Sequence, residues 1–119
     1  MRAELEGLGA RVSVVACDVA DRDGLAGVIA GIGEEVPLRT VVHAAGVVDD
    51  VPLASLTPRH LEADLRGKVD GAWHLDALTA GMELDAFVLF SSGAAAWGSG
   101  GQAGYAAANA CLDSLAAHR

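Results

Sequence analysis

The chain has 119 residues, of which 52% are hydrophobic and 20% are charged, so it is a core-forming chain about the size of one small domain. Its net charge of -8 and its scattered basic residues argue against nucleic acid and anionic membranes as partners, because both are bound through a basic face. No apolar run approaches the ~20 residues of a membrane span, and no secretion signal is recognisable. A cytoplasmic location is therefore expected.

The apolar pattern predicts three strands, each followed by a helix. Thr57 and Pro58 form a typical helix start, with a capping hydroxyl followed by a proline in the first turn. In chain order the predicted elements are a helical stretch at 1–10, a strand at 11–17, a helix at 18–33, a strand at 38–46, a long helix at 57–82, a strand at 84–92, a glycine-rich loop at 93–102 and a last helix at 103–119.

The predicted strands are apolar throughout, which is typical of a parallel sheet covered by helices on both faces. The predicted fold class is therefore α/β, with three parallel strands alternating with helices. Ligands bind such sheets at the carboxyl ends of the strands. The residues to examine for function are those that directly follow a strand: Asp18, Ala44 to Gly46, Ser91 and Ser92.

Lys68 interrupts the apolar stripe of the long helix. It lies three residues after Leu65 and four before Ala72, so its side chain shares their face. Either its stem packs against the core while the amine reaches solvent, or the ammonium is aimed into a site.

Tyr105, the only tyrosine, lies among small residues and four positions before Asn109, on the same helical face. It is either a packing residue or a hydroxyl that emerges near the strand ends, where Ser91 and Ser92 either cap the next turn or face a ligand. A nearby ammonium favours the phenolate, so a Tyr–Lys pair makes a proton donor that works at neutral pH. A serine hydroxyl beside it can hold a carbonyl oxygen, and the set suits reduction of a ketone.

The stretches "VVHAAGVVDD", "KVDGAWHL" and "FVLFSSGAAAWGSGGQAGYAAANACLDSLAAHR" resemble the ketoreductase domain of a modular polyketide synthase, within the short-chain dehydrogenase/reductase superfamily. Ordinary members of the superfamily carry a lysine four residues after the tyrosine and an asparagine on the preceding long helix. This chain has the two exchanged, as polyketide ketoreductases do. The resemblance covers the whole chain and implies Tyr105 as the proton donor, Ser92 as the group that orients the carbonyl, Lys68 as the charge that favours the phenolate, and Asn109 as the organiser of the proton relay.

The resemblance also implies a cofactor and partners. It implies NADPH-dependent reduction of a β-keto group carried by an acyl carrier protein, with neighbouring synthase domains as further partners. "CDVAD" is similar to the family segment whose aspartate contacts the adenine, and "HAAG" to the segment that lines the nucleotide. Asp18 could equally cap the next helix. The implied cofactor-binding residues are Asp18, Val19, Ala44, Ala45, Gly46 and Ser91.

A D-configured product is implied by the same resemblance. Members that make it share an L-D-D motif after the fourth strand of the family's sheet, which is the predicted strand 38–46 of this chain. Here the motif positions hold Val48, Asp49 and Asp50. Members that make the L-product carry a tryptophan three residues before the serine, where this chain has Leu89; Trp97 follows Ser92 by five residues. Members that select an epimerised substituent carry a proline two residues after the tyrosine, and Ala107 stands there. For the two aspartates, a plain Asx turn before Pro52 is the alternative.

Parts of the family pattern are missing. No G-x-G-x-x-G follows a strand, and no basic residue for a 2'-phosphate is recognisable. We expect residues 1–119 to be a fragment of a single ketoreductase catalytic subdomain, a partial Rossmann-like fold that lacks the first two strands and the C-terminal end. The alternatives are a piece that binds no cofactor in isolation, and an ordinary short-chain dehydrogenase acting on a free alcohol, which Asn109 disfavours. Cys17 and Cys111 have no metal-like spacing and are expected to be buried free thiols.

Overall fold

The computed structural model describes residues 1–33 and 35–119. A π-helical turn, Arg66–Asp70, joins two helices, and a short 3-10 helix, Leu53–Ser55, precedes them. The elements in chain order are α1 (Arg2–Gly7), α2 (Arg22–Ala30), β1 (Thr40–His43), α3 (Pro58–Leu65), α4 (Gly71–Thr79), β2 (Ala86–Leu89), α5 (Ala94–Trp97) and α6 (Ala103–His118).

β1 and β2 form a parallel pair in which Thr40 lies opposite Ala86 and His43 lies opposite Leu89. Both strands therefore end at the same edge, and the loops that follow them start side by side. The predicted α/β class is confirmed by this parallel sheet and the helices that precede and follow its strands.

Three strands were predicted, but the described residues form only two. Residues 11–17 are not hydrogen-bonded to another strand. A strand exists only through hydrogen bonds to a neighbouring strand, and none of the described segments pairs with this one in a sheet. Its β-branched side chains stay in solvent, with Val14 75% and Val15 59% exposed. The sequence pattern identified a segment suited to a strand but not the partner it needs.

The predicted long helix is divided into α3 and α4 by the π turn and ends at Thr79, before Met82. Its start is as predicted: the Thr57 hydroxyl accepts the backbone N–H of His60 at 3.4 Å, and Pro58 is the first helical residue. A π turn holds one more residue than an α-turn and is common at functional sites. Lys68 lies at its centre.

The core lies between the sheet and the C-terminal helix. Ala72 from α4 packs with Leu112 and Leu115 from α6, and Leu89 at the end of β2 packs against this cluster. α6 also packs along α3, so the helix that carries Tyr105 is held against both the sheet and the helix that leads to Lys68.

Both cysteines are free, but the expectation that they are buried is wrong. Cys111 lies on the outer face of α6, beside the inward-facing Leu112, and Cys17 belongs to the unpaired segment 11–17. Within residues 1–33 and 35–119 no group of three or more His, Cys, Asp or Glu side chains is placed to hold a metal ion. Of the helices that the structure describes, none is long and apolar enough to cross a membrane.

Candidate active site

The ammonium of Lys68 lies inside the protein, where its side chain is only 5% exposed. Its Nζ donates a hydrogen bond to the carbonyl oxygen of Phe90 at 2.8 Å and lies 5.5 Å from the centre of the Tyr105 ring. The amine therefore does not reach out to solvent. It bridges the end of β2 and the first turn of α6.

The stem of Lys68 packs on the loop that follows β1. A Cβ on Gly46 would stand 2.8 Å from the Lys68 Cγ and 3.0 Å from its Cε, closer than real side chains approach. A glycine at position 46 therefore leaves the space in which the lysine runs. The segment Ala44–Gly46 thus has a role in placing the ammonium, in addition to the cofactor contact implied by the resemblance.

Tyr105 and Asn109 lie one turn apart on α6. Asn109 is fully buried, and its Nδ2 donates to the backbone carbonyl of Tyr105 at 2.7 Å. Its Oδ1 is buried without a hydrogen-bond partner among the described residues. A buried amide oxygen that lacks a partner is costly, so it is suited to accept a hydrogen bond from water or from an ammonium.

The two serines that follow β2 have different partners. Ser91 donates its hydroxyl to the backbone carbonyl of Asn109 at 3.3 Å, which fastens the strand end to α6. The Ser92 oxygen accepts the backbone N–H of Ala94 at 3.2 Å, at the start of α5. Because a hydroxyl both donates and accepts, Ser92 still has its own proton to offer to a carbonyl oxygen. Its capping and its ligand-facing roles are compatible.

Asp18 forms an ion pair with Arg66, which directly precedes the glycine before Lys68. Its Oδ2 lies 2.8 Å from the Arg66 Nη2, and its Oδ1 accepts the backbone N–H of Ala20 at 2.9 Å. The alternative that Asp18 caps the next helix is wrong, because Asp21 is the N-cap of α2 and accepts the N–H of Gly24 at 3.1 Å. Asp18 is thereby left facing Arg66.

A cavity of about 440 Å³ lies beside this ion pair and brings both predicted nucleotide segments together. Its walls are mostly apolar, and its polar groups are the Asp18–Arg66 pair, which suits a flat heteroaromatic ring with an exocyclic amine. Ala44 and Ser91, predicted to bind the cofactor, do not line it. The lining residues are Cys17, Asp18, Val19, Ala45, Gly46, Val47, Ala63, Arg66 and Gly67.

The acidic loop after β1 is tied to the start of α6. The Asp50 Oδ1 accepts a hydrogen bond from the Gln102 Nε2 at 2.8 Å, and the Val51 N–H donates to the Gly101 carbonyl at 2.8 Å. Asp50 is thus fixed by a residue three positions before Tyr105, and not by an Asx turn on its own backbone. Asp49 is exposed.

The other positions considered for stereocontrol fall in different surroundings. Leu89 packs against the core cluster and so has a structural role. Ala107 is exposed on α6, two residues after Tyr105. Trp97 is 83% exposed, and its ring lies on Gly93, the residue that follows Ser92.

His43 is a site residue that sequence reasoning missed. It is the last residue of β1, is 3% exposed, and its Nε2 lies 2.9 Å from the backbone carbonyl of Lys68. Burial lowers the pKa of His43 below its usual value, so the ring is neutral near neutral pH. Arg66 and Gln102 were also missed. Their positions in the sequence could have indicated them, because Arg66 lies two residues before Lys68 and Gln102 lies three residues before Tyr105.

Comparisons with known proteins agree on one family. The KR domain family matches residues 1–119. Mycoketide-CoA synthase of Mycobacterium tuberculosis is 57% identical over 117 residues, which is 98% of this chain and 3% of that protein. A solved structure of A-type ketoreductases from a modular polyketide synthase aligns with a TM-score of 0.96 and 60% identity, covering 99% of this chain and 25% of that one. A short-chain dehydrogenase from Mycobacterium avium aligns with a TM-score of 0.81 and 28% identity, covering 95% and 42%.

Proposed function

Because this chain belongs to the KR domain family of the polyketide synthase ketoreductases, we propose that it supplies the proton-donating centre of a domain that reduces a β-keto group to a β-hydroxyl. The observation that carries the proposal is the buried Lys68 ammonium, held between the Phe90 carbonyl and the Tyr105 ring. The chain spans about a quarter of the solved ketoreductase, 25% of its length. We therefore assign residues 1–119 to one catalytic subdomain of a larger domain.

Tyr105 is the proton donor in this proposal. Its hydroxyl gives a proton to the substrate's carbonyl oxygen, and the Ser92 hydroxyl donates a hydrogen bond to the same oxygen and orients it. The Lys68 ammonium stabilises the phenolate that remains on Tyr105, because an opposite charge in a water-poor site favours the ionised form. Asn109 offers its buried Oδ1 as the next acceptor, through which a proton can return from solvent.

Domains of this family use nicotinamide cofactors, and NADPH is the one we propose here. A bound nicotinamide cofactor supplies the hydride. Asp18 and Val19 would hold the adenine ring in the 440 Å³ cavity, with Arg66 keeping the carboxylate of Asp18 in place. The acyl carrier protein is proposed as the substrate's carrier because the curated relatives are modular synthases, with their other domains as neighbours.

Product configuration is proposed as D, as the sequence resemblance implies, and the structure supplies one argument on each side. Asp50 is anchored by Gln102 close to Tyr105, which suits a loop that restricts the substrate's direction of entry. Trp97 packs on Gly93, the residue after Ser92, so this chain has an indole in the loop of the serine although position 89 is a leucine. Chiral analysis of the product decides between them: a predominantly L-hydroxy product would refute the D-assignment and point to the indole.

The proposed function is tested on the complete ketoreductase domain that contains this chain. We expect NADPH-dependent reduction of a β-ketoacyl thioester, and a fall in kcat of about 10²–10⁴ in Tyr105→Phe, the usual size of a lost general acid. Phe keeps the ring beside Lys68, so NADPH binding and thermal stability serve as controls and should be unchanged. Turnover of Tyr105→Phe within about threefold of wild type would rule out the proton-donor role.

The carrier protein is tested separately. The same thioester is offered free and attached to the acyl carrier protein of the synthase, and we expect a higher kcat/KM for the attached form, because binding of the carrier adds to recognition. Equal values would remove the carrier protein from the proposal while leaving the reduction itself in place.

A further inference from the structure

His43 is the buried group nearest to the Lys68 backbone, and it belongs to a different element. It ends β1, whereas Lys68 lies in the π turn between α3 and α4, 25 residues further along the chain. Its ring also lies against Gly71, where an added Cβ would stand 3.1 Å from the His43 Cε1. The glycine therefore allows the helix to come close enough for the imidazole to reach the turn.

The hydrogen bond has a fixed direction. A carbonyl oxygen can only accept a hydrogen bond. The Nε2 of His43 must therefore carry a proton and donate a hydrogen bond to the backbone carbonyl of Lys68. Burial keeps the ring neutral, which leaves one proton and hence one tautomer. The same carbonyl also accepts a backbone N–H at the C-terminal end of the π turn, where α4 begins. This acceptor therefore ties together the sheet, the π turn and the start of α4.

The π turn decides where the lysine points. It holds one residue more than a regular α-turn, so relaxation to an α-helix would rotate the residues on one side by about 100° relative to those on the other. Such a rotation would take Lys68 away from Phe90 and Tyr105 or draw α4 away from β1. A hydrogen bond from an adjacent strand to a carbonyl within the turn stabilises the π geometry against this relaxation.

We propose that His43 is a positioning residue that holds the π turn through the Lys68 carbonyl and so keeps the ammonium beside Tyr105. The inference rests on the proposed function for its catalytic consequence, but the hydrogen bond itself can be tested without any substrate. His43 does not touch the reacting atoms in this scheme. It acts only through the position of Lys68.

The test uses three variants of the complete ketoreductase domain. His43→Gln keeps an N–H donor at nearly the same distance from the backbone, and His43→Leu removes the donor while keeping an apolar side chain. His60→Leu is the matched control, since His60 lies in the capping box at the start of α3 and has no part in the site.

Kinetics provide the first readout. We expect His43→Leu to lower kcat about 10- to 100-fold, as a misplacement of about 1 Å does, with the NADPH dissociation constant within about twofold of wild type. In the reverse direction, oxidation of the β-hydroxy thioester needs the phenolate. In His43→Leu, which moves the ammonium away, this rate should therefore reach its plateau only at a higher pH than in wild type. His43→Gln and His60→Leu should behave like wild type in both respects. Equal pH profiles for His43→Leu and His60→Leu would overturn the proposal.

Nuclear magnetic resonance provides a second readout that does not depend on activity. In the domain without cofactor, the His43 imidazole should carry its proton on Nε2, and the Lys68 side chain should show a ring-current shift from Tyr105 that is lost in His43→Leu. A proton found on Nδ1, or an unchanged Lys68 shift in that variant, would overturn the proposal even if the variants were too unstable for kinetics. If the wild-type domain showed both signals but no NADPH-dependent turnover, the proposed function would fail while the positioning role of His43 stood.

Discussion

The N-terminal region, residues 1–39 without Glu34, and the C-terminal region, residues 40–119, differ in how many side chains they bury and of what kind. The buried polar and charged side chains of the described chain, His43, Asp64, Lys68, Thr79 and Asn109, all lie in the C-terminal region. The N-terminal region contributes only Leu25 to the buried hydrophobic residues and leaves Val14 and Val15 in solvent. The C-terminal region thus buries Lys68 and Asn109, to which we assign catalytic roles, through its own contacts. The N-terminal region supplies Asp18 and Val19, to which we assign the adenine contacts.

Several contacts join the two regions, including the ion pair between Arg39 and Asp85. Val19 packs on Gly71, His74 contacts the Val19 carbonyl at 3.3 Å, and Asp18 pairs with Arg66. The comparison therefore predicts that changes in the C-terminal region alter the chemical step, whereas changes in the N-terminal region or at the junction alter stability and cofactor binding.

The largest effect is expected from Lys68→Met, which keeps the stem that packs on Gly46 and removes the ammonium. We expect kcat of the complete domain to fall about 100-fold or more, because electrostatic stabilisation of the phenolate is lost. The NADPH dissociation constant should stay within about threefold, since the proposed adenine contacts come from Asp18 and Val19 and not from the Lys68 ammonium. Asp18→Ala is the matched variant from the N-terminal region, with the opposite expectation of weaker NADPH binding and a nearly unchanged kcat. A large loss of NADPH affinity in Lys68→Met would break the division between the regions.

The second prediction concerns the 119-residue chain alone. Phosphate groups of a dinucleotide bind at a helix N-terminus behind a glycine-rich turn, and the sequence has no such turn after a strand. We expect calorimetry to find a dissociation constant for NADPH weaker than the low micromolar range, about -8 kcal/mol, while the complete domain binds more tightly. Low-micromolar binding by the chain alone would contradict this.

The unpaired segment 11–17 has a consequence in the same experiment. Exposed β-branched side chains and open strand edges favour pairing between molecules. We expect sedimentation to show self-association of the isolated chain, and a cooperative monomer would count against it.

The third prediction addresses the junction directly. A Cβ added at Gly71 would stand 2.7 Å from the Val19 Cγ2 and 3.1 Å from the His43 Cε1, so Gly71→Ala forces both regions to shift. We expect a loss of about 1–2 kcal/mol in the free energy of unfolding of the domain, the usual size of overpacking. Gly81→Ala is the control, because an added Cβ there meets nothing within 4 Å. If the two variants melted at the same temperature, the junction would not be as tight as the structure shows.

The fourth prediction uses the pH dependence of stability. The folded protein lowers the pKa of His43, chiefly through burial, so the unfolded chain takes up a proton at a higher pH than the folded chain does. The stability of the folded protein with a neutral, buried His43 is therefore fully present above the ordinary histidine pKa of about 6.5. It is lost as the pH falls below that value. The free energy of unfolding should therefore decrease from about pH 7 to pH 5 more steeply in wild type than in His43→Gln. Chemical denaturation at several pH values measures this, and equal slopes would exclude His43 as a source.

The ion pair Arg39–Asp85 does not interfere with that measurement. Asp85 hydrogen-bonds to Arg39, and the pKa of its carboxyl is lowered by that bond and charge. Its contribution is therefore lost only as the pH falls below the ordinary aspartate range, about 4. Between about pH 7 and pH 5 the Asp85 carboxyl stays ionised, so this ion pair does not change the free energy of unfolding there.

The sequence predicted the parts of the fold that depend on local pattern. The capped start of α3 at Thr57 and Pro58, the extent of α6 and the inward direction of Lys68 follow from residue types a few positions apart. The parallel pairing of β1 and β2 was predictable from their apolar pattern, although both strands end three residues earlier than predicted, at His43 and Leu89. Placement of Ser92, Tyr105 and Asn109 as one catalytic group stays a prediction until the variants are measured.

What could not be predicted depends on contacts between distant segments. The π turn around Lys68 adds one residue to a helix, and its Lys68 carbonyl is contacted by His43 from another element, to which we attribute the stability of the turn. The exposure of 11–17 depends on a strand partner, which a pattern within the segment cannot supply. The packing of Trp97 on Gly93 depends on the glycine, which leaves room for an indole that follows it in sequence.

The smallest effect is expected at the hydrogen bond between Asp50 and Gln102, which lies in the exposed acidic loop of the C-terminal region. If this bond holds the loop where substrate enters, Asp50→Ala and Gln102→Ala should each shift the ratio of D- to L-hydroxy product, and the double variant should shift it no further than either alone. The expected coupling is about 0.5–1 kcal/mol, a two- to fivefold change in the ratio. Asp49→Ala is the control, because it removes the same charge from the neighbouring residue. A shift in Asp49→Ala as large as that in Asp50→Ala would attribute the effect to the charge of the loop. Strictly additive effects of the two variants would show that the hydrogen bond does not transmit the position of the loop to the helix of Tyr105.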